Sequence, residues 1–248
     1  MIKRQIPNAI TLLNLLCGCI SIYFATKGDL MDAGIFIFLG GVFDFCDGLV
    51  ARLLRVQSAL GVQLDSLADM VTFGVAPGFI ALRILGTDVP SFLYVIPFLI
   101  PIFSAYRLAK FNIDTRQTTS FIGLPTPANA LIWASLAFLP AVKEGGFPWK
   151  FFCDDFYKCL AGFLGNPYVI ILLVIVLSVL LVTEIPLFAL KFKNLKDKEN
   201  LPKWIFLGLS VILFILLSVI AFPFIILLYI ILSLIFNKRN NHEIHSRN

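Results

Sequence analysis

Polar residues are confined to a few places along this chain. Between them lie apolar runs at about 9–26, 31–50, 66–86, 91–110, 126–142, 167–190, 204–220 and 222–236. Each approaches the roughly 20 residues with which an α-helix crosses about 30 Å of hydrocarbon. The pattern predicts an all-α polytopic membrane protein with about eight transmembrane helices. The last two runs are short and meet at Phe222-Pro223, where proline removes a helical N–H. They form either a tight helical hairpin or a single broken element.

Composition excludes a water-soluble domain. Of 248 residues, 59% are hydrophobic and only 14% charged, with a mean hydropathy of +0.91. Lys and Arg near span ends are retained in the cytoplasm. With the N-terminus inside, most of the 20 basic residues fall on the cytoplasmic side, and Lys27, Arg83, Lys143, Lys150 and Lys158 are left outside. Both termini are therefore expected in the cytoplasm, in a cell membrane. The net charge of +5 is the ordinary basic fringe of a membrane protein and calls for no nucleic acid partner, though it favours anionic lipid. The first apolar run reads as a retained span rather than a secretory signal, because it contains Asn8, Thr11 and Asn14 and further spans follow. Cys17, Cys19 and Cys46 read as small apolar fillers. Cys153 and Cys159 fall in the external loop of about 143–166, as a disulfide or as two free thiols. The two histidines, His242 and His245, lie in the polar tail, so histidine catalysis or zinc binding in the membrane core is excluded.

One stretch breaks the apolar pattern with acids. It reads Asp44-Phe-Cys-Asp47-Gly48-Leu-Val-Ala51-Arg52, then Gly61, Asp65 and Asp69. An ionised carboxylate beside hydrocarbon is costly unless paired, solvated or bound to a cation. Residues three and four apart share a helix face, so the end of span two and the start of span three each offer two carboxylates. A short loop of about 53–64 makes those ends neighbours at the cytoplasmic surface. Four converging carboxylates repel one another unless cations lie between them, and all-oxygen ligation suits two Mg²⁺ or Mn²⁺ ions. Gly48 and Ala51 remove bulk, Gly61 permits close backbone approach, and Arg52 offers a forked donor to phosphate.

A lone aspartate at a helix end is ordinarily a solvated cap, and a lone arginine a topology signal. Four acids at spacings of three, eighteen and four, with Gly, Ala and Arg at fixed offsets, are more specific. This segment resembles the signature of the CDP-alcohol phosphotransferase family, whose every position is filled by Asp44, Asp47, Gly48, Ala51, Arg52, Gly61, Asp65 and Asp69. The resemblance implies displacement of CMP from a CDP-linked lipid or alcohol by a hydroxyl, at a two-metal site. It implies that Asp44, Asp47 and Asp65 hold one metal, that Asp44, Asp65 and Asp69 share the second, and that Asp69 accepts a proton. Gly48, Arg52 and Ser58 would hold the CDP moiety. It further implies a catalytic core over 1–142 and a homodimer, while the hydropathy pattern adds an extracytoplasmic loop over 143–166, accessory helices over 167–236 and a polar tail over 237–248.

The acceptor alcohol must be chosen elsewhere. Ile6-Pro7-Asn8-Ala9-Ile10-Thr11, Ser66 to Pro77, Arg107-Leu-Ala-Lys110-Phe111-Asn112 and Phe121 to Pro127 resemble the phosphatidylserine synthase branch, which implies CDP-diacylglycerol and L-serine as substrates. Lys110 departs from the arginine expected there, exchanging a bidentate carboxylate contact for a single point. Serine brings a carboxylate, which inositol and glycerol lack, and so requires a cation. Arg107 and Lys110, with Asn112 nearby, are on the right side of the membrane; they are either this cation site or topology signals only. Asn8, Thr11 and Asn14 serve helix capping, interhelical hydrogen bonds or, for Asn8 and Thr11, cytidine contact. Inositol phosphate and glycerol 3-phosphate remain alternative acceptors. An ion-coupled transporter is a different class of reading, disfavoured because its acids would sit near the membrane midplane.

Overall fold

In the computed structural model, residues 2–56, 58–86, 89–114, 121–144, 152, 154–187 and 200–245 are described. They form α1 (Ile2–Lys27), α2 (Leu30–Leu54), α3 (Ala59–Asp69), a π-helical segment (Met70–Val75), α4 (Ala76–Leu85), a 3-10 segment (Ser91–Phe98) and α5 (Leu99–Ile113). There follow β1 (Phe121–Ile122), α6 (Thr126–Leu136), α7 (Leu139–Lys143), α8 (Asp154–Leu164), α9 (Pro167–Val182), β2 (Pro186–Leu187), α10 (Leu201–Leu217), a 3-10 turn (Ser218–Ala221) and α11 (Phe222–His245). The two short strands pair antiparallel, Phe121 opposite Leu187 and Ile122 opposite Pro186. Everything else of regular structure among the described residues is helical.

Among the described residues, five helical runs are long and apolar enough to cross a membrane: Gln5–Lys27, Leu30–Leu54, Ala59–Leu85, Ser91–Ile113 and Leu201–Phe236. A sixth is available if Asp155–Leu164 and Pro167–Val182, which meet at 62°, form one bent span. The protein is thus a polytopic, all-α membrane protein, with five or six spans by length and composition among the described residues, where eight were expected. The run expected at 126–142 is divided into α6 and the five-residue α7, because Pro140 has no N–H for the Leu136 carbonyl. The run expected at 167–190 stops at Val182, four residues before Pro186, and the residue preceding a proline disfavours helical backbone. The last run doubles back. At Ser218 the backbone turns with φ 53°, and α11 returns along α10, bringing the Tyr229 ring to 5.5 Å from Phe206. Of the two alternatives for this segment, it is the hairpin.

Small residues let the first helices approach closely, as packing within lipid requires. α1 ends at Gly28, whose φ of 96° an L side chain would resist. In the α1–α2 hairpin Ser21 donates to the Ala33 carbonyl at 2.8 Å. On the next face a Cβ at Gly34 would stand 2.6 Å from the Ala134 carbonyl oxygen, so α2 meets α6 backbone to backbone. α6 is buried along nearly its whole length and joins two apolar cores. One gathers Ala25, Ala33, Ile37, Phe73 and Ile80 from α1, α2 and the third span. The other gathers Ile100, Trp133, Leu139, Tyr157, Ile170 and Val174. Cys159 is exposed and Cys153 lies outside the described residues, so their pairing is not addressed. Arg116 also lies outside them.

Candidate active site

The acidic helices are terminated tightly. α2 closes on Arg55 in the left-handed conformation, whose N–H reaches the Ala51 and Arg52 carbonyls, while Val56 N–H donates to Ala51 O at 3.0 Å. Three residues later Ser58 caps α3, its hydroxyl accepting from Gly61 N–H at 3.0 Å. The loop is therefore only 55–58, shorter than the 53–64 read from the sequence, because α3 begins at Ala59 and not at the first apolar residue of its span. α3 packs mainly on α1, leaving α1 between the two acidic helix ends.

Asp44, Asp47 and Asp65 converge. One carboxylate oxygen from each lies within 4.8 Å of the others. Oxygens at opposite corners of an ion with bonds of about 2.1 Å are ~4.2 Å apart, so this spacing fits a small hard cation with little adjustment. Asp47 is 5% exposed and accepts a hydrogen bond of 2.6 Å from Thr11 Oγ1. The Thr11 hydroxyl also stands 3.1 Å from the Pro7 carbonyl; its single proton goes to the charged oxygen, the stronger acceptor. Asp69 lies outside the triad, one turn deeper on α3 and 8% exposed, where Asn14 Nδ2 donates to its Oδ1 at 3.1 Å. Beneath it, Thr72 donates to the Asn14 backbone carbonyl at 2.9 Å. Glycines make room for that contact: a Cβ at Gly18 would stand 2.5 Å from Thr72 Oγ1, and one at Gly40 would stand 2.6 Å from Thr72 Cγ2.

The residues expected to contact CDP divide into two groups. On α2, Gly48 faces space in which a Cβ would meet nothing within 4 Å, and the exposed Arg52 folds its Nε back onto the Gly48 carbonyl at 2.9 Å. Ala51 is half-buried beside them. Across the site, Asn8 and Ser58 both border Gly61, and Asn8 Nδ2 is 3.5 Å from Gln5 Oε1.

The three residues expected at a serine site lie together at the end of α5 but turn to different partners. Arg107 is 8% exposed, donates from Nη1 to Thr126 at 3.1 Å, has a buried Nε without a hydrogen-bond partner, and lies within electrostatic range of Asp69. Lys110 forms an ion pair with Glu184 at 2.8 Å. Asn112 donates to Ser66 Oγ at 2.8 Å, tying α5 to α3. A small recess beside Arg107 and Lys110 is lined also by Tyr106, Phe111 and Thr183. Sequence reasoning missed Glu184, since nothing in a residue 74 positions away announces a partner for Lys110. It also left Asn14 without a role, although the Asn8, Thr11, Asn14 spacing already put that side chain on the correct face of α1.

A sequence model described as CDP-alcohol phosphatidyltransferase matches residues 4–153. The chain belongs to that family. Among curated phosphatidyltransferases, it is 38% identical over 142 residues to the CDP-diacylglycerol–serine O-phosphatidyltransferase of Bacillus subtilis, covering 54% of this chain and 76% of that one. It is 38% identical over 128 residues to the protein of the same name from Helicobacter pylori, covering 51% of this chain and 54% of the relative. The Saccharomyces cerevisiae protein of that name is 35% identical over 175 residues, or 62% of each chain. The chain thus spans about half to three quarters of the length of these three relatives.

Proposed function

We propose that this chain transfers the phosphatidyl group of CDP-diacylglycerol to the hydroxyl of L-serine, giving phosphatidylserine and CMP. The observation that carries the chemistry is the convergence of Asp44, Asp47 and Asp65, with Asp69 one turn away. The name shared by the bacterial and yeast relatives supports serine as the acceptor.

The donor set is all carboxylate, which fits Mg²⁺ or Mn²⁺. Asp44, Asp47 and Asp65 would hold one ion, and Asp69 with Asp44 and Asp65 a second. Divalent ions held there would neutralise pyrophosphate charge and stabilise the departing CMP. The rest falls to the protein. Thr11 holds Asp47 in place. Arg52 and the open space over Gly48 receive the CDP moiety, with Ser58, Gly61, Ala51, Asn8 and Thr11 bordering it. Asp69 accepts the serine hydroxyl proton as the new phosphorus–oxygen bond forms and the bond to CMP breaks. Arg107 keeps one buried donor, Nε, without a hydrogen-bond partner and would hold the serine carboxylate. Lys110, already paired with Glu184, contributes less, and Asn112 positions α5.

The basic residues Arg52, Arg55, Arg107 and Lys110 surround the acidic end, whereas Lys27, Arg83 and Lys143 occupy the opposite one. That asymmetry supports a site facing the cytosol, with both termini on that side. Eight crossings follow if α6–α7 and each leg of the terminal hairpin traverse the bilayer. A homodimer in membrane lipid completes the reading.

The test supplies purified protein with CDP-diacylglycerol, Mg²⁺ or Mn²⁺, and serine, inositol phosphate or glycerol 3-phosphate in parallel, and identifies the lipid made. Serine-dependent phosphatidylserine and CMP in equal amounts are expected. A better yield with another acceptor overturns the serine assignment, and no CMP release with any acceptor overturns the chemistry.

A further inference from the structure

Asn14 is wholly buried on α1, and its two amide atoms fare differently. Nδ2 donates to Asp69 Oδ1, while the side-chain Oδ1 is buried without any hydrogen-bond partner. The orientation of the amide is fixed by charge, since only its N–H can face a carboxylate oxygen. An interface built for stability alone would not keep such a group: a desolvated, unpaired oxygen is unfavourable, and an apolar side chain of similar size would avoid it. The tie between the helices is already made by another atom, the Asn14 backbone carbonyl, which accepts from Thr72. The side chain is therefore dispensable for that contact. What the amide alone accomplishes is to occupy one of the two oxygens of Asp69.

We propose that Asn14 is the positioning residue for Asp69. By engaging Oδ1 it fixes the plane of the carboxylate and leaves Oδ2 as the oxygen presented to the acceptor hydroxyl. Without it the carboxylate rotates, and each oxygen spends part of its time turned away from the incoming nucleophile. Partners that orient a reacting or ligating group in this way matter to rate far more than to folding. The inference rests on the proposed role of Asp69 as proton acceptor.

Asn14→Leu, Asn14→Ala and Thr72→Val are compared with the wild type in serine-dependent CMP release, with thermal unfolding of each purified protein in parallel. Both Asn14 variants should lose about 10–100-fold in kcat, with the KM for CDP-diacylglycerol unchanged. Asn14→Leu should unfold at the wild-type temperature or above it. Thr72→Val should show the opposite, a lowered unfolding temperature with kcat unchanged. Should Asn14→Leu fail to fold, the smaller Asn14→Ala carries the comparison, since it cannot donate. Wild-type kcat in a folded Asn14 variant, or a rate loss that merely follows lost folded protein, overturns the inference. A wild type that makes no phosphatidylserine overturns the proposed function instead.

Discussion

Thr11 on α1 donates a 2.6 Å hydrogen bond to Asp47 on α2, joining the most buried member of the carboxylate triad to a helix that carries no acid of its own. The bond consumes one lone pair of Asp47 and aims the remainder at Asp44 and Asp65. Thr11→Val should therefore raise the Mg²⁺ or Mn²⁺ concentration needed for half-maximal activity by about 10–100-fold, whereas Thr11→Ser should restore it. Titration of activity with metal checks this. Superimposable curves for Thr11→Val and the wild type would reduce the hydroxyl to helix packing.

Three carboxylates within 4.8 Å of one another are a poor arrangement without a cation between them. Chelation by EDTA should abolish turnover, and added Mg²⁺ or Mn²⁺ should restore it. Asp65→Asn should lose both rate and metal affinity, because an amide is a weaker oxygen ligand and introduces an N–H. Turnover persisting in EDTA would contradict the metal reading.

Arg107 and Lys110 are distinguishable despite lying one turn apart. The guanidinium is buried with an unpartnered Nε, while the ammonium is held by Glu184. Arg107→Gln should raise the KM for serine by more than Lys110→Gln does, consistent with about 1.5–3 kcal/mol for a hydrogen bond to a charged group. The KM for CDP-diacylglycerol should stay near the wild-type value in both. Glu184→Gln should change stability by under about 1 kcal/mol, since the pair is partly exposed. Steady-state kinetics and thermal unfolding measure these separately, and parallel rises in both KM values for Arg107→Gln would assign it to the lipid phosphate.

Two glycines on the first two helices should respond in opposite ways. Gly18→Ala forces a Cβ to within 2.5 Å of Thr72 and should destabilise the fold by about 1–3 kcal/mol. Gly48→Ala meets nothing within 4 Å and should unfold like the wild type, yet raise the KM for CDP-diacylglycerol by filling space the nucleotide uses. A Gly48→Ala variant with unchanged KM would remove that face of α2 from the nucleotide site.

The helical class and the acidic site were legible in the sequence because each leaves a local mark. Uninterrupted apolar length announces a span, and Asp44, Asp47, Asp65 and Asp69 lie on two helices joined by a short loop. What was not legible depends on contacts between distant segments. The division of α6 from α7 at Pro140 and the stop of α9 before Pro186 were signalled by prolines but outweighed by apolar length. The terminal hairpin was an open alternative until Phe206 met Tyr229. The engagement of Lys110 by Glu184 and of Asp69 by Asn14 joins residues 74 and 55 positions apart, for which periodicity carries no signal.

The π-helical segment Met70–Val75 follows directly on Asp69, and it acts on the third span as a vernier. An α-helix advances about 100° per residue, so Asp65 and Asp69 would dictate which residues twenty ångströms further along face the protein. The wider turn, favoured where Pro77 cannot donate to Phe73, shifts that phase once between the two halves. The offset lets the acids face their site while Phe73, Ala76 and Ile80 face the core. Chemistry and anchorage can then diverge independently along one continuous span.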